Sequence, residues 1–421
     1  MRYYLLHSKD VNRDSFLWNM IGSLVMAFQS VILLMILSRT VGLVESGIFT
    51  IAYANANLFL TVGKYGMRYY QVSDVSREFT FREYYISRWL TCLAMLIVSI
   101  AYVAYSSVMN SYTLNKAMII LWMCIFKLPD AFEDVYYGEY QRNGRLDIAS
   151  KAMAFRMLST LLFYVLLIVI FKNQLLALTA ATLFTWVVMI IFLKWTRSPF
   201  PEMKNDVYSL KHIGKLLRCC FPLFASSFLS FYIGNAPKYA IDSLLTDKLQ
   251  ACYGFISMPV FIIGLLNGFI FNPMLYHISQ LWSEHHLKDF LKQLLLQMVY
   301  VVIITIVCIL GAALFGIPVL SILYNTNLEP YKTELLILLL GGGFLGLSGV
   351  LNTIITIIRQ QKKLFWGYLA IAILAYVFSR PVVRQYEMLG ASLFYTSLMA
   401  GLCVCFIVIL ITELIRLNKY S

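Results

Sequence analysis

Long apolar blocks separated by short polar or turn-forming segments run the length of the chain. They fall at about 15–38, 46–66, 84–107, 114–137, 152–171, 175–193, 216–241, 250–273, 292–316, 332–358, 364–379 and 391–412. A helix needs about 20 apolar residues to cross a bilayer, so the pattern predicts twelve transmembrane helices. A membrane β-barrel requires short segments that alternate with period two. These runs are instead continuous blocks of Leu, Ile, Val and Phe. The fold class predicted is an all-α polytopic membrane protein.

Thr196–Arg218 interrupts the rhythm as one polar, basic stretch with Pro199 and Pro201. It divides the chain into an N-terminal six-helix bundle, residues 1–195, a cytoplasmic linker, 196–215, and a C-terminal six-helix bundle, 216–421. A faint internal repeat supports that division. LSRTVGLVESGIFTIAY from Leu37 is patterned like IDSLLTDKLQACYGFIS from Ile241, and Gly63, Tyr70, Val72 and Ser73 pair with Gly268, Tyr276, Ile278 and Ser279. Repeat-built transporters place such halves around a central cavity.

Composition agrees with the pattern: of 421 residues, 60% are apolar and 13% charged, and mean hydropathy is +0.74. A soluble domain carries roughly 25% charged residues. Lys and Arg concentrate on alternate connections. With the N-terminus in the cytoplasm, only Arg39, Lys116, Lys172, Lys248, Lys332, Arg380 and Arg384 fall on outer turns, so the positive-inside rule puts both termini in the cytoplasm. The net charge of +13 follows from this bias and from attraction to anionic headgroups, and calls for no nucleic acid. The opening MRYYLLHSKDVNRDS is polar for too long to start a signal peptide, and the first apolar run lacks a small-residue cleavage site, so the N-terminus is expected to stay as an anchor.

Chemistry-bearing motifs are few. Most of the eight cysteines lie in or beside apolar runs and read as packed thiols. The five histidines (His7, His212, His277, His285, His286) sit in polar loops away from metal-ligand spacing. No metal, cofactor or catalytic group is expected, and the outer connections are too short to carry the carboxylates of a membrane glycosyltransferase. There is no Walker A sequence. The Gly341–Gly343 run is read as close helix packing rather than a pore filter.

Polar residues at membrane depth are the remaining candidates, since burying them in lipid is costly. In the second run Thr50, Tyr53, Asn57, Thr61, Lys64 and Arg68 recur every three or four residues, one helical face. Lys64 either faces a lumen or snorkels to the headgroups. The seventh run carries Ser227, Ser230, Gly234, Lys238 and Asp242 on one face, and Pro222 and Pro237 are expected to bend it. Lys238 and Asp242, four apart, either act on substrate or neutralise each other. The fourth run holds Lys127, Asp130, Glu133 and Asp134, either an ion-pair cluster or a site where a carboxylate carries a coupling ion. Asn19 and Ser23 in the first run and Asn267 in the eighth suit sugar hydroxyls or helix packing.

The segments FLWNMIGSLVMAFQSVILLMILSRTVGLVESGIFTIAYA, with Gly47 and Phe49 at the turn into the second span, DVYYGEYQRNGRLDIAS and NAPKYAIDSLL resemble the Wzx-type polysaccharide flippases of the MOP exporter superfamily. That superfamily also holds the MATE multidrug transporters and the peptidoglycan lipid flippase. The resemblance implies two six-helix bundles, a central cavity and alternating access. It also implies an undecaprenyl-pyrophosphate-linked oligosaccharide moved from the inner to the outer leaflet of the bacterial cytoplasmic membrane. Membrane lipids and the polysaccharide polymerase machinery are the other partners implied. A pyrophosphate requires cations in a low-dielectric lumen, which assigns Lys64, Lys238 and Lys127 to it. Asn19, Ser23, Asn57, Thr61, Ser227, Ser230 and Asn267 are the expected polar lining, and Asp242 and Asp130 the expected ion-coupling acids. A cation-coupled multidrug exporter is the alternative, but it calls for acidic rather than basic cavity residues.

Overall fold

The computed structural model describes residues 1–418 apart from 75, 201, 202, 204–206 and 285. Of the residues named above, Pro201, His285 and the side chain of Tyr276 lie outside that description. The described residues form helices and connections only, with no strand among them. The chain divides into two compact units, Met1–Phe228 and Leu229–Ser421.

The first unit comprises α1 (Arg2–Leu6), α2 (Val11–Thr40), α3 (Leu43–Lys64), α4 (Met67–Ser73), α5 (Phe81–Met109), α6 (Leu114–Phe132), α7 (Asp134–Arg142), α8 (Leu146–Phe171), α9 (Gln174–Thr196) and the opening of α10 (Leu210–Leu244). Side-chain caps start several of these helices by satisfying backbone donors that lack an intrahelical partner. Asp10 accepts from the Arg13 amide, Thr113 from Lys116, and Asn173 from Leu176. Thr80 and Glu83 form a capping box at α5. α3 ends where Tyr65 (φ 52°) and Gly66 (φ 63°) turn left-handed. It is the central helix of this unit, packing against α2, α5 and α6, and α2 packs along α8.

The second unit contains the remainder of α10, α11 (Asp247–Ser257), α12 (Val260–Ser283), α13 (Leu287–Gly311), α14 (Ile317–Tyr324), α15 (Lys332–Ile357) and α16 (Gln361–Asn418). Its centre is α15, and Gly341–Gly343 show why. Successive helical residues point about 100° apart, so three glycines in a row open three directions. A Cβ on Gly341 meets Tyr395 of α16 at 2.7 Å. One on Gly342 meets Ile263 of α12 at 3.0 Å, and one on Gly343 meets Thr305 of α13 at 2.5 Å. The run is a three-way packing point.

Ten helical segments among the described residues are long and apolar enough to cross a membrane, so the chain is a multi-pass membrane protein. Two features separate this figure from the twelve apolar runs. Gln361–Arg416 spans 56 residues, about 84 Å of helix against a core of roughly 30 Å. It carries a non-helical residue, Glu387 (φ 47°, ψ −125°), near its middle. α6 is left out by its polarity, because Lys116, Lys127 and Asp130 stud its 19 residues.

Candidate functional site

Charges are buried inside the first unit. α6 contains Pro129, and the helix gives way to α7 at Glu133. Lys127, Asp130 and Glu133 are spaced by three and share a face of α6. Arg156 of α8 answers the two acids. Its guanidinium donates to Asp130 Oδ1 at 2.5 Å, to Glu133 Oε1 and Oε2 at 2.6 and 2.7 Å, and to the Thr185 hydroxyl at 2.8 Å. The Lys127 ammonium donates to Asp130 Oδ2 at 3.2 Å and to Gln29 Oε1 at 2.9 Å, and lies 5.0 Å from the centre of the Tyr53 ring. Tyr137 donates to Glu133 at 2.9 Å. Two cations and two acids balance, and every member is buried.

A second cluster adjoins the end of α3. The Gly63 carbonyl accepts from Arg88 at 2.5 Å and from Thr91 at 2.8 Å. A cation there also suits the negative end of the helix dipole. Arg88, fully buried, also donates to Asp134 at 3.0 Å. Arg68 approaches Asp134 at 3.4 Å and bonds Gln141 at 3.0 Å. Two arginines therefore share one carboxylate, and the half-buried Lys64 acts electrostatically on Asp130. Buried acids and buried cations interleave through this unit, with Asp74, Glu139 and Asp147 also buried and Lys116 and Lys151 beside them in the buried set.

Arg88 and Arg156 lie close to the cytoplasmic ends of their apolar runs along the chain, and the fold draws both inside. Asp130 and Glu133, on one face with only Lys127 alongside, were the available hint that a further cation had to arrive.

The remaining expected residues are placed as follows. On α3 Asn57 is half-buried and donates to the Tyr53 carbonyl at 2.9 Å. Thr61 is buried, its hydroxyl bound to the Leu58 carbonyl at 2.6 Å, and Thr50 is likewise buried and bonded to Ser46. The polar face expected on this helix is therefore narrower, since two hydroxyls are spent on its own backbone. On α2 Asn19 is exposed and Ser23 half-buried, and on the first part of α10 Ser227 is exposed.

In the second unit Lys238 is half-buried and, among the described residues, makes no hydrogen bond or ion pair. Asp242, one turn on and 8% exposed, does not neutralise it. Ser230 is half-buried, and the Tyr368 hydroxyl donates to Asn352 Oδ1 at 3.3 Å. Asn267 donates to the Gly346 carbonyl at 3.4 Å. The described residues contain no cluster of His, Cys, Asp and Glu able to hold a metal ion, and all eight cysteines are free.

The described residues thus form long apolar helices grouped in two units, with charged side chains buried among them. Solved structures share this architecture at the level of the fold. The chain is similar to the lipid II flippase MurJ in an inward closed conformation, with a TM-score of 0.71, 14% identity, and coverage of 95% of this chain and 87% of that one. It is similar also to an inward-facing multidrug resistance MATE family transporter of the MOP superfamily, with a TM-score of 0.67, 13% identity, and coverage of 95% and 98%. In sequence it is similar to the capsular polysaccharide biosynthesis protein CapF of Staphylococcus aureus, 26% identical over 323 residues, which is 74% of this chain and 78% of CapF. No family model matches the chain. The resemblance to Wzx-type flippases read from the sequence agrees with all of these matches.

Proposed function

We propose that the protein is a flippase that carries an undecaprenyl-pyrophosphate-linked oligosaccharide from the inner to the outer leaflet by alternating access, for surface polysaccharide synthesis. The observation that carries this reading is Lys238, a cation on an apolar helix with no partner among the described residues. Leaving an ammonium unpaired in an apolar setting is costly, and an anionic ligand removes that cost. Lys64, half-buried at the end of α3, is its counterpart in the first unit. The similarity to CapF, a capsular polysaccharide biosynthesis protein, supports a glycan substrate.

In this reading the membrane is the bacterial cytoplasmic membrane, crossed twelve times with both termini inside, and residues 1–195 and 216–421 are the two bundles joined by the 196–215 linker. Lys127 contributes through the field of its cluster, since its ammonium is already held by Gln29 and Asp130. Asp130, held between Lys127 and Arg156, and Asp242 on α10 are the two coupling acids in this reading. The accessible charges oppose export of cationic drugs, since Asp130, Glu133 and Asp134 are all consumed in ion pairs.

The test is removal of the protein from its host, followed by probing of undecaprenyl-linked glycans with a membrane-impermeant reagent. Glycans are expected to accumulate in the inner leaflet, with rescue by the wild type and none by the Lys64→Ala, Lys238→Ala double variant. Unchanged lipid-linked glycans, with new sensitivity to cationic drugs, overturn the proposal in favour of a multidrug exporter. If Asp242→Asn transport keeps its dependence on pH and membrane potential, coupling lies elsewhere.

A further inference from the structure

From Ser46 to Lys64 every residue of α3 is buried except Tyr53, Asn57, Leu60 and Lys64. At 100° per residue, spacings of four, three and four keep these four within a strip about 60° wide. Three of them are polar. Helix α5 of the same unit presents Trp89, Leu90, Leu93, Ile97 and Ile100 on its accessible side, the composition that acyl chains require. Tyr, Asn and Lys on the accessible side of α3 fit an aqueous or ligand-filled space instead.

The strip is graded along the helix. Lys64 supplies a cation at one end. Asn57 uses one amide N–H on the Tyr53 carbonyl at 2.9 Å, which leaves Oδ1 and the second N–H to accept from and donate to hydroxyl groups. The Tyr53 ring is held by Phe49, stacked at 5.5 Å and 21°, and by the Lys127 ammonium at 5.0 Å. Its hydroxyl has no hydrogen-bond partner among the described residues. A fixed aromatic ring with a free hydroxyl, one turn from an amide, is suited to the apolar faces and hydroxyls of a sugar. At 1.5 Å per residue the rise from Lys64 to Asn57 is about 10 Å and to Tyr53 about 16 Å. A diphosphate at Lys64 cannot reach Tyr53 unaided, but a short glycan extending from it can.

We propose that the α3 strip is a saccharide register, in which Asn57 and Tyr53 hold the first sugars of a glycan whose diphosphate lies at Lys64. This rests on the flippase reading above and adds to it a subsite that reads the glycan rather than the carrier.

The test uses Leu60→Cys in the full-length protein in membrane vesicles, which keeps all three polar residues. The vesicles are treated with a water-soluble maleimide, and labelling of the peptide containing position 60 is read by mass spectrometry. Two competitors are compared: undecaprenyl diphosphate, and the lipid-linked oligosaccharide fraction extracted from the host lacking this protein. Position 60 is expected to label. Both competitors are expected to protect it, the glycan-bearing fraction at a concentration at least tenfold lower. That advantage is expected to vanish when Asn57→Leu or Tyr53→Leu is added, while protection by the bare carrier persists and shows that the variants are folded. Absence of labelling, equal protection by the two competitors, or an advantage that survives both substitutions overturns the register. Absence of protection by either competitor overturns the diphosphate site itself, and with it the flippase reading.

Discussion

Arg156 and Lys238 are both cations in apolar bundles, and their surroundings give them opposite expected phenotypes. Arg156 bonds two buried carboxylates and a threonine. Its removal strands Asp130 and Glu133, and breaking a buried ion pair costs about 3–5 kcal/mol. Arg156→Ala is therefore expected to lower the thermal midpoint of the purified protein sharply, and an added Asp130→Asn, Glu133→Gln pair is expected to restore much of it by removing the stranded charge. Lys238→Met leaves nothing stranded, so it is expected to keep or raise the thermal midpoint while transport falls. A destabilised but transport-competent Lys238→Met protein is the result that contradicts this reading. At this scale the sequence was legible in part. The i, i+3 spacing of Lys127 and Asp130 exposed their pair, whereas Arg88 and Arg156 reach the acids of α6 and α7 only because other helices cross there.

Among the elements, α3 and α15 are the central helices of their units, and small residues bring their neighbours close. Gly63 of α3 lies against Met95 and Ala131, its built Cβ reaching them at 2.8 and 2.9 Å. Gly343 of α15 faces Thr305 of α13. Overpacking a filled contact costs about 1–3 kcal/mol, so Gly343→Ala is expected to lower the thermal midpoint. Thr305→Ala in the same chain is expected to return part of the loss, because the two sites share one contact. Additive effects of the two substitutions refute the contact. The glycine run was recognisable in the sequence as a packing device. Which three helices it admits was not, since adjacent residues on one helix can meet partners far away in the chain.

At the scale of the whole molecule, the alternation of Lys and Arg fixes an expected orientation that can be read directly. A reporter active only in the cytoplasm, fused after Val207 or at the C-terminus, is expected to be active, and one fused after Ser111 inactive. Signal after Ser111, or none at the C-terminus, contradicts an even number of crossings with both ends inside. The count of ten sufficiently apolar segments and the twelve apolar runs differ chiefly at α6 and α16. A fusion at Glu387, between the halves of α16, separates the alternatives: twelve crossings place it outside the cytoplasm.

Sequence alone determined the class of this protein. The length and apolarity of the runs leave helices across a bilayer as the only way to satisfy the backbone. It also marked which residues were too polar for lipid. Only the tertiary structure decided what each of them does, because a charge in an apolar interior is defined by what lies against it. Lys127 and Lys238 look alike along the chain, yet packing supplies Lys127 with Gln29 and Asp130 and supplies Lys238 with no partner among the described residues. Likewise Thr61 and Asn57 belong to one face by periodicity. The fold buries the first on its own backbone and leaves the second half-buried, with its Oδ1 uncommitted.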